Sequence, residues 1–261
     1  MSGSRAKVRV EEAFATATTA VETDEEVRRL QRSRGRGDGE PALRSRPVDR
    51  PPMAVLTVCD DGSDEGEEIR LRGDRFIIGR TAGDLTIPHD GRISSRHVEV
   101  ARREVDGAIR WVVSDLRSRN GLFVRVSCAT LADGSEFLVG RGRYRFDAPR
   151  PAPERPGRTR GHGDAPAAPG VSEMLAGGLG ARVVLDPAAE CWIGSDPSCL
   201  ILRPDDRFCD RRHARLRADG RGRWRLDHAG ALNGVWLRVD RVVVERSLHF
   251  QAGEQRFRLR A

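Results

Sequence analysis

"ISSRHVEV", residues 93–100, decides the fold, because it returns downstream as "FCDRRHARL", residues 208–216. In each copy a basic residue and a histidine stand directly before alternating polar and apolar residues, the period of a half-buried strand. Working outward, "RFIIGR" precedes the first copy, and "IRWVVSDL", "LFVRV", "EFLVGRG" and "RYRFDA" follow it. These runs are short and rich in β-branched or aromatic residues, and Gly, Asp and Asn punctuate them. "FIIGR" returns as "CWIGS", "RNGLFVRV" as "LNGVWLRV" and "VGRGRYRF" weakly as "QAGEQRFRL". The offset stays near 115 residues, too long for a solenoid repeat, so one domain has been duplicated in tandem. With no helical blocks between the strands, the pattern predicts an all-β chain of two β-sandwiches.

The segments around the repeats differ in composition. Residues 1–52 are Thr/Ala-rich and acidic in "TATTAVETDEE", then Arg/Gly/Pro-rich in "RSRGRGDGEPALRSRPVDRPP", and are expected to be a disordered tail. Within it "DEEVRRLQR" has acids leading and bases following, as the helix dipole prefers, so a short helix is expected there if packing supports it. Residues 148–171 read as a Pro/Gly-rich linker, leaving modules at 53–147 and 172–261.

Composition narrows the function. Charged residues are 33% of the chain, aromatics only 5%, and the formal charge is +7. A basic protein attracts polyanions, but these cations are spread along the chain and interleaved with acids, with Lys7 the single lysine, so nucleic acid is discounted as a partner. Cys59, Cys128, Cys191, Cys199 and Cys209 form no C-x-x-C pair and no metal-ligand spacing, which argues for reduced thiols in a cytoplasmic protein, without metal or cofactor. No signal peptide and no membrane span are legible. No phosphate-cradling G-x-x-x-x-G-K, nucleophile elbow or His/carboxylate constellation appears, so no catalytic residue and no enzyme is expected.

"GR" at 79–80, "SSRH" at 94–97 and "DLRSRNG" at 115–121, in that order and spacing, resemble the forkhead-associated (FHA) domain, here in a tandem protein of bacterial type. The resemblance implies an eleven-strand sandwich whose loops bind phosphothreonine peptides. Such a ligand carries roughly −1.5 to −2 charges, and needs a fixed cation and neutral donors held on rigid loops. Arg80 ends an apolar strand, and the Ser94 hydroxyl can donate to a phosphate oxygen. By resemblance Asn120 grips the peptide backbone and Arg119 and Ser95 are further contacts. Gly79, His97, Ser118 and Gly121 support the loops, His97 as a structural brace. Leu122 stands where the family usually has Thr.

The second module keeps His213, Asn233 and Gly234, but Ser195 replaces the arginine and Asp210 the serine, so its site is expected to be degenerate. The function implied is a phosphothreonine-dependent adaptor in Ser/Thr kinase signalling; the alternative is a phosphate-independent or nucleic-acid-binding protein that uses basic sandwich faces. Thr16, Thr18, Thr19 and Thr23, beside acids, are candidate phospho-acceptors, and a phosphorylated tail is a candidate ligand of its own domain.

Overall fold

A computed structural model of the chain describes residues 7–8, 19–32, 53–149 and 168–261. Those residues are nearly all β, with one helix, Asp24–Arg32. They form two compact units, one of Met1–Ser127 with Arg238–Ala261, the other of Cys128–Leu237. These boundaries differ from the contiguous modules read at 53–147 and 172–261, and the strand pairing shows why.

In the first unit, Arg75–Gly79, Val98–Val105 and Ala108–Asp115 form an antiparallel sheet, with Leu85–Thr86 added in parallel on one edge. The strand that pairs with Ala108–Asp115 on the other edge is Arg241–Val244, from the second repeat. In the companion sheet Ala54–Cys59 pairs with Gly66–Leu71 and with Gln255–Arg260. Gln255–Arg260 turns back into Ser247–Ala252, which pairs with the start of Leu122–Leu131. Inward positions such as Leu56, Ile78, Val98, Val100, Val113 and Val124 are fully buried, as the period-two pattern requires.

The second unit mirrors this with the repeats exchanged. Cys191–Gly194, Ala214–Ala218 and Trp224–His228 form one sheet, with Ile201–Leu202 parallel on its edge. Its other edge is Cys128–Leu131, the end of a first-repeat strand. In the companion sheet Gly178–Val184 pairs with Gly170–Leu175, which pairs with Gly142–Asp147; that strand pairs with Glu136–Val139, which lies against Val235–Val239. Each unit therefore joins the first strands of one repeat to the last strands of the other.

The exchange places equivalent side chains in equivalent positions. Phe137 pairs with Leu237 and stacks on Tyr144 at 5.4 Å; Phe250 pairs with Val124 and stacks on Phe257 at 5.0 Å. Both hairpins offer the same apolar alternation, so either one satisfies the backbone and the core of either sandwich.

The tail is not wholly without structure. Thr19–Val21 pairs with Lys7–Val8 and with Leu122–Leu131, and the helix expected at "DEEVRRLQR" forms over those residues. Thr23 caps it: Glu26 N donates to Thr23 Oγ1 at 3.3 Å and Thr23 N donates to Glu26 Oε2 at 2.9 Å, a reciprocal box that satisfies free backbone donors. Packing supplies the rest. Glu22 and Arg125 form an ion pair with both side chains buried, and Asp24 accepts from Ser247 Oγ at 2.7 Å and His249 Nε2 at 3.1 Å. Burial alone would push the Asp24 carboxyl up, but those hydrogen bonds and the charges of His249 and Arg258 prevail and bring it down to about 2. A segment tied by an ion pair, a cap and two side-chain hydrogen bonds recovers the ordering entropy that its composition alone could not.

Candidate functional site

The loops at one end of the first unit bring the sequence-chosen residues together. Gly79 ends its strand against the backbone of Ser95: a Cβ there would sit 2.1 Å from the Ser95 carbonyl oxygen, so only glycine permits the approach. Arg80 N donates to Ser94 O at 2.9 Å, and Ala82 N to Ser95 O at 3.0 Å, which zips the two loops into one surface. The Arg80 guanidinium, half-buried, makes no hydrogen bond or ion pair to another described residue. It is a cation held ready at the loop end.

Ser94 is placed by three bonds. Its N–H donates to His97 Nδ1 at 3.1 Å, its carbonyl accepts from Arg80, and its Oγ accepts from Arg119 N at 3.0 Å. The last bond uses an acceptor lone pair and leaves the hydroxyl proton free to donate outward. Asn120 Nδ2 donates to Arg92 O at 2.7 Å, joining the two loops. Ser118 Oγ accepts from Gly121 N at 2.9 Å, and Gly121 adopts φ +87°, which closes the turn. Ser95, exposed, shares a hydrogen bond of 2.6 Å with Thr81 Oγ1, and the Arg119 side chain is exposed. Together these groups present a guanidinium without a partner among the described residues, a second, exposed guanidinium, an outward O–H and a partly free amide, the donor set that suits a tetrahedral oxyanion.

His97 is fully buried. Its Nδ1 accepts from Ser94 N, so the proton sits on Nε2, which donates to Gly121 O at 3.1 Å. The ring thereby links both loops. Burial pushes its pKa below the ordinary histidine value, and the same holds for His213, whose Nδ1 accepts from Asp210 N at 3.1 Å and whose Nε2 donates to Gly234 O at 2.8 Å. A group that is neutral in the folded state and easier to protonate when unfolded stabilises fully above the unfolded value near 6.5 and loses that contribution as pH falls through the lowered value. Both units are expected to hold a constant unfolding midpoint from pH 8 to 7 and to lose stability below about pH 6.5. Thermal unfolding across pH, with His97→Asn flattening the profile of the first unit alone, checks this.

Two residues that sequence reasoning passed over hold the site loop. Asp90, buried, accepts from Arg92 N at 2.8 Å and from Glu254 N at 2.6 Å; Asp206 accepts likewise from Phe208 N at 3.0 Å and Arg141 N at 2.7 Å. Each carboxylate grips the turn of the hairpin donated by the other repeat. The signal was legible: an aspartate stands seven residues before the histidine in both copies.

The second unit reproduces the frame with other chemistry. Gly194 approaches Arg211 O as Gly79 approaches Ser95 O, and Asn233 Nδ2 donates to Phe208 O at 3.0 Å. Ser195 stands at the cation's position. Asp210 Oδ2 accepts from Leu232 N at 3.4 Å, where Ser94 accepts from Arg119, but a carboxylate brings no proton to offer. Without a serine at Ala231, Gly234 N bonds to the Ala231 carbonyl at 3.2 Å.

Of the four threonines singled out, Thr16 and Thr18 lie outside the described residues, Thr19 is in a strand and Thr23 caps the helix. All five cysteines are free, with Cys128 half-buried and the others buried. No helix among the described residues is long and apolar enough to cross a membrane.

A family model described as the FHA domain matches residues 76–140 and 191–253. Among solved structures, full-length yeast Pml1p is 27% identical over 28% of this chain and 56% of its own, with a TM-score of 0.24. Mycobacterium tuberculosis EmbR, in complex with a low-affinity phosphopeptide, is 22% identical over 36% of this chain and 24% of its own, with a TM-score of 0.23. The match thus spans about half the length of the first and a quarter of the second. No curated protein matches.

Proposed function

Because this chain carries two FHA domains in tandem, we propose that it is a phosphothreonine-dependent adaptor in Ser/Thr kinase signalling, and that the loop end of the first unit is its binding site. The observation that carries this is the pairing of a guanidinium without a partner among the described residues, Arg80, with a hydroxyl, Ser94, whose acceptor lone pair is already used by Arg119 N. A phosphate brings roughly −1.5 to −2 charges and three acceptor oxygens; the site offers a charge and protons to meet them. Arg119 adds a second cation at the rim, and Asn120, held through one N–H to Arg92, keeps its amide oxygen and second N–H for the peptide backbone. The loop from Thr81 to Arg92 and the turn after Asn120 read the residues beside the phosphothreonine.

The ligand's source includes the chain itself. Phosphorylation at Thr16, Thr18 or Thr19 would supply a tethered ligand at an effective concentration of order millimolar. Thr23 is a poorer acceptor while its hydroxyl caps the helix.

Titration of the full chain with a phosphothreonine peptide library and its dephosphorylated counterpart tests the reading. Low-micromolar affinity, about 8 kcal/mol, that vanishes with phosphatase and falls only shallowly with salt is expected. Equal binding of both libraries, or a steep log-linear salt dependence shared with an unrelated polyanion, would instead indicate non-specific attraction to the +7 charge.

A further inference from the structure

The two loop ends share a backbone frame but present different surfaces. Gly79 pairs with Thr86 and Gly194 with Leu202. Asn120 binds the carbonyl of Arg92 and Asn233 that of Phe208. Arg119 N reaches Ser94, and Leu232 N reaches Asp210. At three matched positions, then, the exposed polar side chains Thr86, Arg92 and Arg119 give way to Leu202, Phe208 and Leu232, which remain 45%, 39% and 42% exposed. Leu200, 48% exposed, likewise stands where the register puts Asp84. Four large exposed apolar side chains at one loop end, on Ile201–Leu202 and the loops beside it, suit an interaction surface.

The charge at the centre is inverted too. Ser195 removes the cation, and the half-buried Asp210 carboxylate forms no ion pair among the described residues. Nearby cations have other partners, though only Arg211 among them is paired with an acid. Arg211 pairs with Asp196 at 2.7 Å, Arg212 lies over the Trp192 ring at 5.2 Å, and Arg141 lies over the Phe208 ring at 5.3 Å. Arg207 and Asp205, both exposed and two positions apart, offset one another in formal charge. The hydrogen bonds from Ser198 N and Oγ, and then Arg211, hold the Asp196 carboxyl well below the usual carboxylate range, so that pair stays ionised.

We propose that the loop end of the second unit docks an unphosphorylated peptide segment that presents one arginine or lysine flanked by apolar side chains. The cation faces Asp210, and its neighbours lie on Leu202, Phe208 and Leu232. A central carboxylate repels phosphate and attracts a cation, while apolar contacts supply the area that a single exposed charge pair could not. The proposal takes from the phosphothreonine reading only that this loop end is the peptide-binding face of the fold.

The test uses the full chain and fluorescent unphosphorylated decapeptides whose central residue is Arg, Lys, Gln, Glu or phosphothreonine, with apolar or polar neighbours. Central Arg and Lys among apolar neighbours are expected to bind best. Asp210→Ser should weaken them at least fivefold, and the double variant Phe208→Arg with Leu232→Arg, which installs the side chains of the first unit, at least tenfold. All three positions lie on loops with exposed or half-buried side chains, and an unchanged thermal transition verifies folding. Arg80→Ala should leave this binding untouched while removing phosphothreonine binding, so the two readings fail separately. Selection of Glu as readily as Arg, or binding indifferent to the double variant, overturns the proposal.

Discussion

Phe250→Ala, a substitution in the second repeat, is expected to loosen the unit that carries Arg80 and to weaken phosphothreonine binding there. Phe250 is fully buried, pairs with Val124 and stacks on Phe257 at 5.0 Å. Truncating such a phenylalanine costs about 3–5 kcal/mol, a large share of a domain's stability of about 5–15 kcal/mol. Protection of residues 98–115 from hydrogen exchange should fall, while that of 214–228 holds. Phe137→Ala, its counterpart in the first repeat, should do the reverse and leave peptide affinity near wild type. The opposite assignment, Phe137→Ala disturbing 98–115, would mean that each repeat keeps its own hairpin and that the exchange is wrong.

Arg80→Ala should lower phosphothreonine affinity at least tenfold without changing stability. A hydrogen bond to a charged group contributes about 1.5–3 kcal/mol, and each 1.4 kcal/mol is a factor of ten. The side chain makes no bond to another described residue, so its loss leaves the fold intact. Calorimetry on the full chain reads the effect, with Arg110→Ala, exposed on the strand Ala108–Asp115, as the control. Undiminished binding would refute the assigned site. The converse experiment installs the site in the second unit by Ser195→Arg with Asp210→Ser. A carboxylate about 4 Å from a phosphate charge repels it by roughly 4 kcal/mol at an effective dielectric near 20, so removing Asp210 and restoring the cation should create binding where there was none.

Much of this was legible in the chain. The strand pattern, the duplication and the helix at "DEEVRRLQR" follow from periodicity, punctuation and charge order, which are local properties. So was the grouping of Arg80, Ser94 and Asn120, because a strand end and two turns in fixed order bring them to one edge of a sandwich. The docking of residues 19–26 was not legible. An acidic, Thr-rich stretch looks disordered until Arg125, Ser247 and His249, far away in sequence, give Glu22 and Asp24 their partners.

The sequence by itself determined that there are two sandwiches, where their strands lie, and which loop end has a cation and which a carboxylate. Only the tertiary structure decided which hairpin completes which sandwich. Phe137 with Tyr144 and Phe250 with Phe257 present the same alternation to the same backbone ladder, so nothing local distinguishes them. The choice lies in the path of the chain, which passes from one unit to the other between Ser127 and Cys128 and again between Leu237 and Arg238; the contacts that follow, Asp90 on the turn at Glu254 and Asp206 on the turn at Arg141, are equivalent in the two units.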